Sequence, residues 1–433
     1  MGDTSRSRTV STKLQGIAKQ ARQYPDMIFT TLAHLMDVDF LREAHRRISK
    51  KGAPGLDKVT AVEYGENLDE NLVDLHERVC SGRYKAPPVE RVWIDKENGK
   101  RRPIGKPTFE DKIVQRAVEM LLSSIYEGSF YHFSHGFRKG HSQHQALHEL
   151  RESCRNLNIN WILNADVTGL FDNIDHHQLM KLIRLRVNDG GILRLIGKWL
   201  NAGVMEEGKV VYPDKGTPQG GVISPLLSNI FLHYVLDGWF YHEVKSRMKG
   251  RCFVIRWADD FIIGFEFESD AVRLMEVIPK RFERYGLELH PDKTALIKFG
   301  KPQTKSTGSG GNGTFDFLGF TFYWGKSLKG YWIIKKKTAR KRLNRFLKMT
   351  WNWCKENRHD PIQDQHRILS AKLRGFYQYF GVRSNYKALE VVYEYAEKSW
   401  RRWLSRRSHN GTVLFEDLRK AFPLPLPRIV HNI

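Results

Sequence analysis

The sequence predicts an α+β fold, in which helices and strands alternate irregularly along the chain. Two apolar stretches predict strands that lead to carboxylates: residues 161–167 contain Asp166, and a predicted hairpin has Asp259-Asp260 at its tip. Apolar residues at helical spacing predict helices within residues 27–49 and 112–125. Because these elements follow no regular strand–helix–strand series, we expect α+β rather than α/β architecture.

Each further element follows from a local pattern. Val92-Trp93-Ile94 predicts a short strand, and Asn98-Gly99 predicts the hairpin turn that follows it. The arms 252–257 and 261–265 are strongly apolar, so the hairpin between them is expected to be buried. Residues 301–314 are low in complexity, but a strand pattern resumes directly after them, which favours a loop inside a domain over a linker.

The expected organisation has three parts. Residues 1–26 are polar and basic and predict a flexible, frayed tail that touches nucleic acid. They lack the apolar segment of a secretory signal, and Asp3 disfavours a transit peptide. Residues 27–325 hold the predicted strands, whereas in residues 326–433 the pattern turns helical after Tyr331.

The positive charge is concentrated near the end of the chain. The whole sequence has 71 Lys and Arg against 48 Asp and Glu, a net charge of +23. Residues 326–433 alone hold 25 basic and 8 acidic residues. This surplus predicts a polyanionic partner. Tryptophans that either stack on bases or pack in a core alternate with these basic residues, at Trp351, Trp353, Trp400 and Trp403.

Cysteine usage and hydropathy exclude several classes of protein. The cysteines are Cys80, Cys154, Cys252 and Cys354. No Cys-x-x-Cys pair occurs among them, which argues against a zinc ribbon or a zinc-bearing nuclease and fits a reducing compartment. No apolar run approaches the ~20 residues that a membrane-spanning helix needs, so we expect no membrane association.

The carboxylates suit one kind of chemistry. By itself, Asp259-Asp260 is compatible with an ordinary polar turn. Two or three carboxylates that converge at strand ends can instead hold two Mg²⁺ ions about 3.5–4 Å apart, which activate an attacking hydroxyl and stabilise a pyrophosphate leaving group. Ligands that are all oxygen favour Mg²⁺ over softer metals.

The chain carries successive motifs that resemble those of reverse transcriptases, in the version found in group II intron-encoded proteins. Three contain the acids and a glycine-rich turn between them: Ala165-Asp166-Val167 with Phe171, residues 216–230 beginning Gly216-Thr217-Pro218-Gln219-Gly220-Gly221, and Trp257-Ala258-Asp259-Asp260. The other matches are residues 51–57, Trp93-Ile94 with 99–103, 134–138, 286–289 with Lys293-Thr294, and 317–320. Residues 373–377 and 427–431 resemble the family's thumb/maturase region.

The resemblance implies a right-hand polymerase of fingers, palm and thumb, with an antiparallel palm sheet. Residues 27–325 are then the fingers and palm, and residues 326–433 are an α-helical thumb/maturase domain that binds RNA. The implied function is RNA-directed DNA polymerase, with an RNA template, a DNA primer and dNTPs as substrates. The implied cofactor is two Mg²⁺ ions, with Mn²⁺ as a substitute. The implied partner is group II intron RNA, which the protein assists in splicing and mobility as a maturase, in the bacterial cytoplasm.

The resemblance also assigns roles to individual residues. The metal ligands are Asp166, Asp259 and Asp260, with the Val167 carbonyl. The nucleotide-binding residues are Lys96, Arg102, Phe171, Gln219 and Lys293. Among these, the Phe171 ring excludes a 2′-hydroxyl and Lys293 donates a proton to the leaving pyrophosphate. The primer- and template-binding residues are Arg138, Trp257, Phe317, Leu318 and Gly319. Without the motifs, core packing is the better explanation for Phe171, and a core strand is the alternative for residues 317–320.

Two departures from the family leave alternatives open. Trp257 stands where the family usually has Tyr, which is compatible with a reverse transcriptase that has no intron and serves host defence or DNA repair. Nothing follows Ile433, so no zinc-type endonuclease and no cleavage of target DNA is expected. The second alternative, an RNA-binding maturase active in splicing only, is disfavoured by the intact Asp166, Asp259 and Asp260.

Overall fold

The described residues form three small sheets surrounded by helices. The computed structural model describes residues 2–95, 101–206, 209–212, 215–216, 220–302, 313–408 and 411–433. Within them the helices are α1 (Gly2–Gln23), α2 (Val38–Arg46), α3 (Ala61–Glu66), α4 (Leu68–Cys80), α5 (Phe109–Tyr126), α6 (Gln143–Asn156), α7 (Leu170–Asn173), α8 (His176–Arg184), α9 (Gly190–Leu200), α10 (Ser224–Leu232), α11 (Glu268–Glu283), α12 (Arg340–Glu356), α13 (Ile362–Phe380), α14 (Tyr386–Leu404) and α15 (Phe415–Ala421). The strands are β1 (Val89–Asp95), β2 (Arg101–Lys106), β3 (Trp161–Asp166), β4 (Val204–Glu206), β5 (Lys209–Val211), β6 (Cys252–Trp257), β7 (Asp260–Phe265), β8 (Ala295–Lys298), β9 (Phe315–Phe317), β10 (Phe320–Lys326) and β11 (Trp332–Thr338).

The strand pairing confirms the α+β prediction. The sheets have the strand orders β6–β7–β3–β8, β2–β1–β4–β5 and β11–β10–β9. Within the described residues every pairing of these strands is antiparallel except that of β1 with β4, which is parallel. The predicted hairpin is β6–β7, and its apolar arms are buried as expected from their composition.

In the described part of the chain, two hydrophobic cores hold the sheets and helices together. The larger contains the central sheet β6–β7–β3–β8 and the buried faces of helices α1 to α11, with Phe261 and Phe265 among its fully buried side chains. The smaller lies among the C-terminal helices and is centred on Trp400, Leu373 and Leu389. The basic C-terminal region therefore has a core of its own.

The beginning of the chain differs from the frayed tail predicted for residues 1–26. Gly2–Gln23 forms α1, and Val10, Ile17 and Ala21 are buried on one side of it. The Arg186 guanidinium also donates a hydrogen bond to the Ala21 carbonyl at 3.2 Å. The apolar residues are few, but their spacing is that of a helix face, which is the signal that the polar composition obscured.

Three other local predictions are refined. The helix predicted within residues 112–125 is α5, whereas that within residues 27–49 is confined to α2 and a short 3₁₀ turn before it. Residues after Tyr331 form strand β11 before the helical region begins at Arg340. The boundary predicted near Gly325 falls inside β10. In β11 burial alternates along the strand, with Ile334, Lys336 and Thr338 buried, but its run of Ile333-Ile334-Lys335-Lys336-Lys337 has no apolar–polar alternation that would predict a strand.

The apolar content of the sequence predicts no membrane-spanning helix. In the described part of the chain, no helix combines the length and the apolar character needed to cross a bilayer.

Candidate active site

The turn between β6 and β7 presents two adjacent acids. Trp257 pairs with Asp260 across the hairpin, which leaves Ala258 and Asp259 as the turn residues. Ala258 has a φ of 54°, a left-handed conformation that non-glycine residues adopt only when their surroundings hold them there. The turn is therefore a constrained one, formed at the end of two buried strands.

Asp166 joins these acids because β3 lies beside β7. The register of the two strands places Asp166 directly opposite Asp260, and the two carboxylates are within hydrogen-bonding reach. The backbone at Asp166 is fixed on its other side, where its carbonyl accepts a hydrogen bond from the His290 amide at 2.8 Å. The next residue, Val167, is buried and bridges to Leu289. The structure thus brings together the acids that the sequence predicted from separate motifs.

Lys293 supplies a positive charge at the same place. Its ammonium forms an ion pair with the Asp166 carboxylate from a short 3₁₀ turn, Pro291–Lys293. Partial burial works against the charged form, but the hydrogen bond and charge of Asp166, followed by the charges of Asp260 and Asp259, outweigh it and raise the pKa of Lys293. The lysine therefore keeps its proton at neutral pH.

The crowded carboxylates perturb one another. Burial of the carboxylate, then the charge of Asp259 and the hydrogen bond with Asp166, raise the pKa of Asp260 to about 8. Asp260 lies at the mouth of the hairpin with an exposed edge, where like charges of its neighbours also favour its protonated form. A group of acids whose mutual repulsion is this strong is a place where a cation binds favourably.

The donor chemistry fits a divalent metal ion. Within the described residues, no three His, Cys, Asp or Glu side chains are arranged closely enough to hold a metal as they stand, and Asp166 is paired with Lys293 instead. The oxygens of Asp166, Asp259 and Asp260 are nevertheless the hard ligands that Mg²⁺ prefers, and they project from adjacent strands. The repulsion among these neighbouring carboxylates is the feature that a cation would relieve.

Phe171 lies beside the start of the glycine-rich turn. It is buried on the short helix α7. A Cβ added to Gly216 would lie 2.8 Å from the Phe171 carbonyl oxygen, so only glycine allows this close approach. The Gly216 amide donates to the Ile174 carbonyl at 2.8 Å, and the Gly216 carbonyl lies 2.6 Å from His176 Nε2. Two motifs separated by some 45 residues of sequence therefore meet at this point.

The predicted Phe317–Phe320 hairpin is present as the turn between β9 and β10. Phe317 and Phe320 are buried, and Leu318 adopts a left-handed conformation with φ 48°. The Tyr379 hydroxyl supports this strained turn by donating a hydrogen bond to the Leu318 carbonyl at 2.8 Å. Sequence reasoning missed Tyr379, although it lies two residues after the 373–377 motif.

Three of the predicted nucleotide-binding side chains lie outside the described part of the structure. Lys96 and Gln219 lie outside the described residues, and so does the side chain of Arg102, whose backbone pairs with Ile94 in β2. The predicted contribution of these residues to binding a triphosphate stays a prediction.

Arg138 has internal partners. Its guanidinium donates to the Glu127 carboxylate at 2.8 Å, to the Tyr131 carbonyl at 2.7 Å and to the Ser134 carbonyl at 2.5 Å. It also stacks on the Phe130 ring, with 5.2 Å to the ring centre. The side chain is thus engaged in bracing its own loop, and its contact with a template stays a prediction.

The C-terminal tryptophans fall into two groups. Trp400 is fully buried and its indole N–H donates to the Gln365 side chain at 2.9 Å, and Trp403 is buried as well. Trp351 and Trp353 keep exposed edges, with the Arg402 guanidinium 5.2 Å from the Trp351 ring and the Lys372 ammonium 5.6 Å from the Trp353 ring. The first pair is core, whereas the second lies at a cationic surface.

Comparisons with known proteins agree with this geometry. A family model described as reverse transcriptase (RNA-dependent DNA polymerase) matches residues 94–322, more than half of the chain. The group II intron-encoded protein LtrA of Lactococcus lactis subsp. cremoris is 40% identical, over 95% of this chain and 81% of its own. Protein YkfC of Escherichia coli (strain K12) is 33% identical, over 61% of this chain and 78% of its own. The putative COX1/OXI3 intron 1 protein of Saccharomyces cerevisiae is 26% identical, over 84% of this chain and 51% of its own.

Proposed function

Because the chain belongs to the group II intron-encoded reverse transcriptases, and is therefore an RNA-directed DNA polymerase, we propose that Asp166, Asp259 and Asp260 are its catalytic residues. The observation that carries this assignment is the register of β3 with β7, which sets Asp166 opposite Asp260 beside Asp259. Rigid strands suit this role, because a displacement of about 1 Å at the reacting centre can cost a hundredfold in rate.

The three carboxylates and the Val167 carbonyl are the proposed ligands of two Mg²⁺ ions, for which Mn²⁺ can substitute. When bound, such ions activate the primer hydroxyl and stabilise the leaving pyrophosphate. The protein's own contribution is to hold the acids in register and to keep Lys293 protonated beside Asp166, where it is placed to donate a proton to the pyrophosphate. Phe171 is proposed to lie beneath the incoming sugar, beside the turn that begins at Gly216.

The proposed architecture is a right hand. The sheet β6–β7–β3–β8 forms the palm, the β1–β2 hairpin belongs to the fingers, and α12 to α15 form the thumb/maturase region. The separate core of the C-terminal helices supports this division. The β9–β10 turn, with Phe317, Leu318 and Gly319, and the Trp257 indole are proposed to contact the primer terminus. A cytoplasmic location, associated with nucleic acid, stays a prediction.

The proposed partners are an RNA template, a DNA primer, dNTPs and group II intron RNA. The similarity to LtrA, whose name describes it as a group II intron-encoded protein, supports a maturase role along nearly the whole chain. The cationic surface around Trp351 and Trp353 suits RNA, because basic side chains follow the phosphate backbone and exposed rings can stack on bases.

Primer extension on an RNA template tests the catalytic assignment. The Asp259→Asn/Asp260→Asn double variant is expected to lose Mg²⁺-dependent synthesis while binding the primer–template as tightly as the unmodified protein. Glu276→Gln/Glu283→Gln, which neutralises two exposed acids on α11, is the charge-matched control and is expected to retain synthesis. Synthesis by the Asn variant at the unmodified rate contradicts the assignment.

The maturase role needs its own measurement. The DNA that flanks the coding region is expected to encode a group II intron, and the Asn double variant is expected to stimulate splicing of that RNA as well as the unmodified protein does. Absence of an intron there contradicts the maturase role and favours an intron-uncoupled polymerase. If only splicing, and no primer extension, is found for the unmodified protein, the splicing-only alternative is correct.

A further inference from the structure

An arginine is completely buried inside the catalytic hairpin. Arg256 lies on β6, two residues before the turn, in a strand whose other members Cys252 to Ile255 are apolar and buried. The exposed fraction of Arg256 is 0%, and so is that of Asp237, its ion-pair partner. Burying a charged pair is costly unless every polar hydrogen finds a partner, so the presence of this arginine requires an explanation.

The guanidinium satisfies all five of its N–H groups. The Asp237 carboxylate accepts two hydrogen bonds, at 2.8 and 2.6 Å. The Ser134 hydroxyl accepts one at 2.6 Å, and the Asn229 side-chain oxygen accepts one at 3.0 Å. The remaining N–H donates to the Ala258 carbonyl at 3.0 Å. Thus one side chain joins three distant segments to the turn residue that precedes Asp259.

The loop that contains Gly136 packs tightly against the Ala258 turn. The Asn229 amide donates to the Gly136 carbonyl at 2.7 Å. A Cβ at Gly136 would overlap the Ala258 nitrogen, so glycine is required for the loop to pack against the turn. The backbone of Arg256 is also bonded on both sides of this loop, to the Phe133 carbonyl at 2.8 Å and from the His135 amide at 2.9 Å. The loop and the turn therefore form one packed unit.

We propose that Arg256 is a positioning residue, which fixes the left-handed conformation of Ala258 through its carbonyl and thereby sets where the Asp259 and Asp260 carboxylates point. This inference rests on the proposed function, since it concerns how those acids are held. It also gives the motif residues Ser134 and Asn229 a role as supports of the turn rather than contacts to substrate. Lysine cannot replace Arg256, because an ammonium has three donors and no planar fork.

The test compares Arg256→Lys with the unmodified full-length protein. We expect kcat to fall by about tenfold or more, as for a misplaced catalytic group, while KM for dNTP and the Kd for primer–template change by less than about twofold. The Mg²⁺ concentration for half-maximal rate is expected to rise several-fold. As a readout without turnover, the rise in melting temperature that Mg²⁺ produces is expected to require correspondingly more Mg²⁺.

Arg281→Lys is the matched control. Arg281 donates to the Val235 carbonyl at 3.1 Å and the Tyr234 carbonyl at 3.3 Å, in the helical segment that carries Asp237, but has no bond to the turn. It is expected to keep the kcat and the Mg²⁺ response of the unmodified protein. Equal effects of the two lysine variants would show that Arg256 acts through general stability and would overturn the proposal.

Two further variants separate the remaining outcomes. If Arg256→Lys fails to fold, the Arg256→Met/Asp237→Leu pair removes both buried charges at similar volume, a replacement that buried ion pairs often tolerate. An unmodified kcat and Mg²⁺ response in that pair overturns the positioning role. The Asp259→Asn/Asp260→Asn variant is measured in parallel: its retained synthesis contradicts the proposed function, whereas the Mg²⁺-dependent melting temperatures still decide the role of Arg256.

Discussion

The ammonium of Lys293 is paired with the carboxylate of Asp166 at the end of the central strand, where Asp260 lies opposite. A single ion pair thus connects the lysine predicted to donate a proton with one of the acids predicted to bind metal. Lys293 is 58% exposed at its side chain, whereas Asp166 is 10% exposed. The lysine can therefore leave the pair and reach a substrate without unfolding anything around the acid.

Lys293→Met is expected to lower kcat by about a hundredfold or more, the range found for a general acid, with little change in primer–template affinity. Lys293→Arg keeps the charge but holds its proton too tightly to donate it, so it is expected to be nearly as slow. Single-turnover incorporation at saturating dNTP measures both. Lys298→Met, an exposed lysine on β8, is the control, and full activity of the Arg variant would refute proton donation.

Phe171→Val is expected to increase ribonucleotide incorporation relative to deoxynucleotide incorporation by about tenfold or more, because the smaller side chain leaves room for a 2′-hydroxyl. The ratio of kcat/KM for the two nucleotides measures this, and it is independent of any loss of folded protein. Phe267→Val, at an exposed phenylalanine, is expected to leave the ratio unchanged. An unchanged ratio in the Phe171 variant would mean that the ring only packs in the core.

Tyr379→Phe is expected to lower the free energy of unfolding by about 1 kcal/mol, since it removes the hydroxyl that supports the Leu318 carbonyl. Because that carbonyl lies in the predicted primer-contacting turn, the Kd for a primer terminus is expected to rise as well. Chemical denaturation and fluorescence anisotropy measure the two effects. Tyr331→Phe, at a tyrosine residue that is 70% exposed, should change neither.

Lys336→Met is expected to stabilise the protein at neutral pH. Lys336 is 2% exposed on the inner face of β11, its ammonium has no hydrogen-bond partner within the described residues, and burial lowers its pKa to about 7. The unfolded chain therefore binds more protons than the folded one between pH 7 and the ordinary lysine value, so the stability of the unmodified protein rises with pH in that window. Melting temperatures from pH 7 to pH 9.5 should show this slope, and Lys336→Met should lack it.

Lys337→Met, on the outward face of the same strand, is the matched control for that measurement. It is expected to keep the pH slope. A slope that survives in Lys336→Met would show that other groups cause it.

The sequence predicted the acids because their chemistry is local. The residues around Asp166 and Asp259 show apolar strands that end at carboxylates. The antiparallel pairing of β3 with β7 then places Asp166 opposite Asp260. The helix α5 was predictable for the same reason, since its apolar face repeats at helical spacing.

Supporting residues were not predictable, because their partners lie far away in the chain. Tyr379 bonds to a carbonyl 61 residues earlier, and the Ser134 hydroxyl accepts from an arginine 122 residues later. The position of Arg256 in an apolar strand indicates that its side chain needs a buried partner. No local pattern identifies that partner. The helix α1 was not predictable from composition, because its few buried apolar residues, Val10, Ile17 and Ala21, lie among many polar ones.

The fully bonded arginine has a consequence for the order in which the protein is made. Arg256 donates to the Ala258 carbonyl, and its own partners are Ser134, Asn229 and Asp237, so all four side chains lie upstream of residue 261. During synthesis, domains generally fold as units, the N-terminal ones first. We therefore expect the turn that presents the two acids to be complete while the ribosome is still translating the basic helices that follow. The nascent chain would then have its proposed catalytic turn before it has the helices proposed to bind RNA.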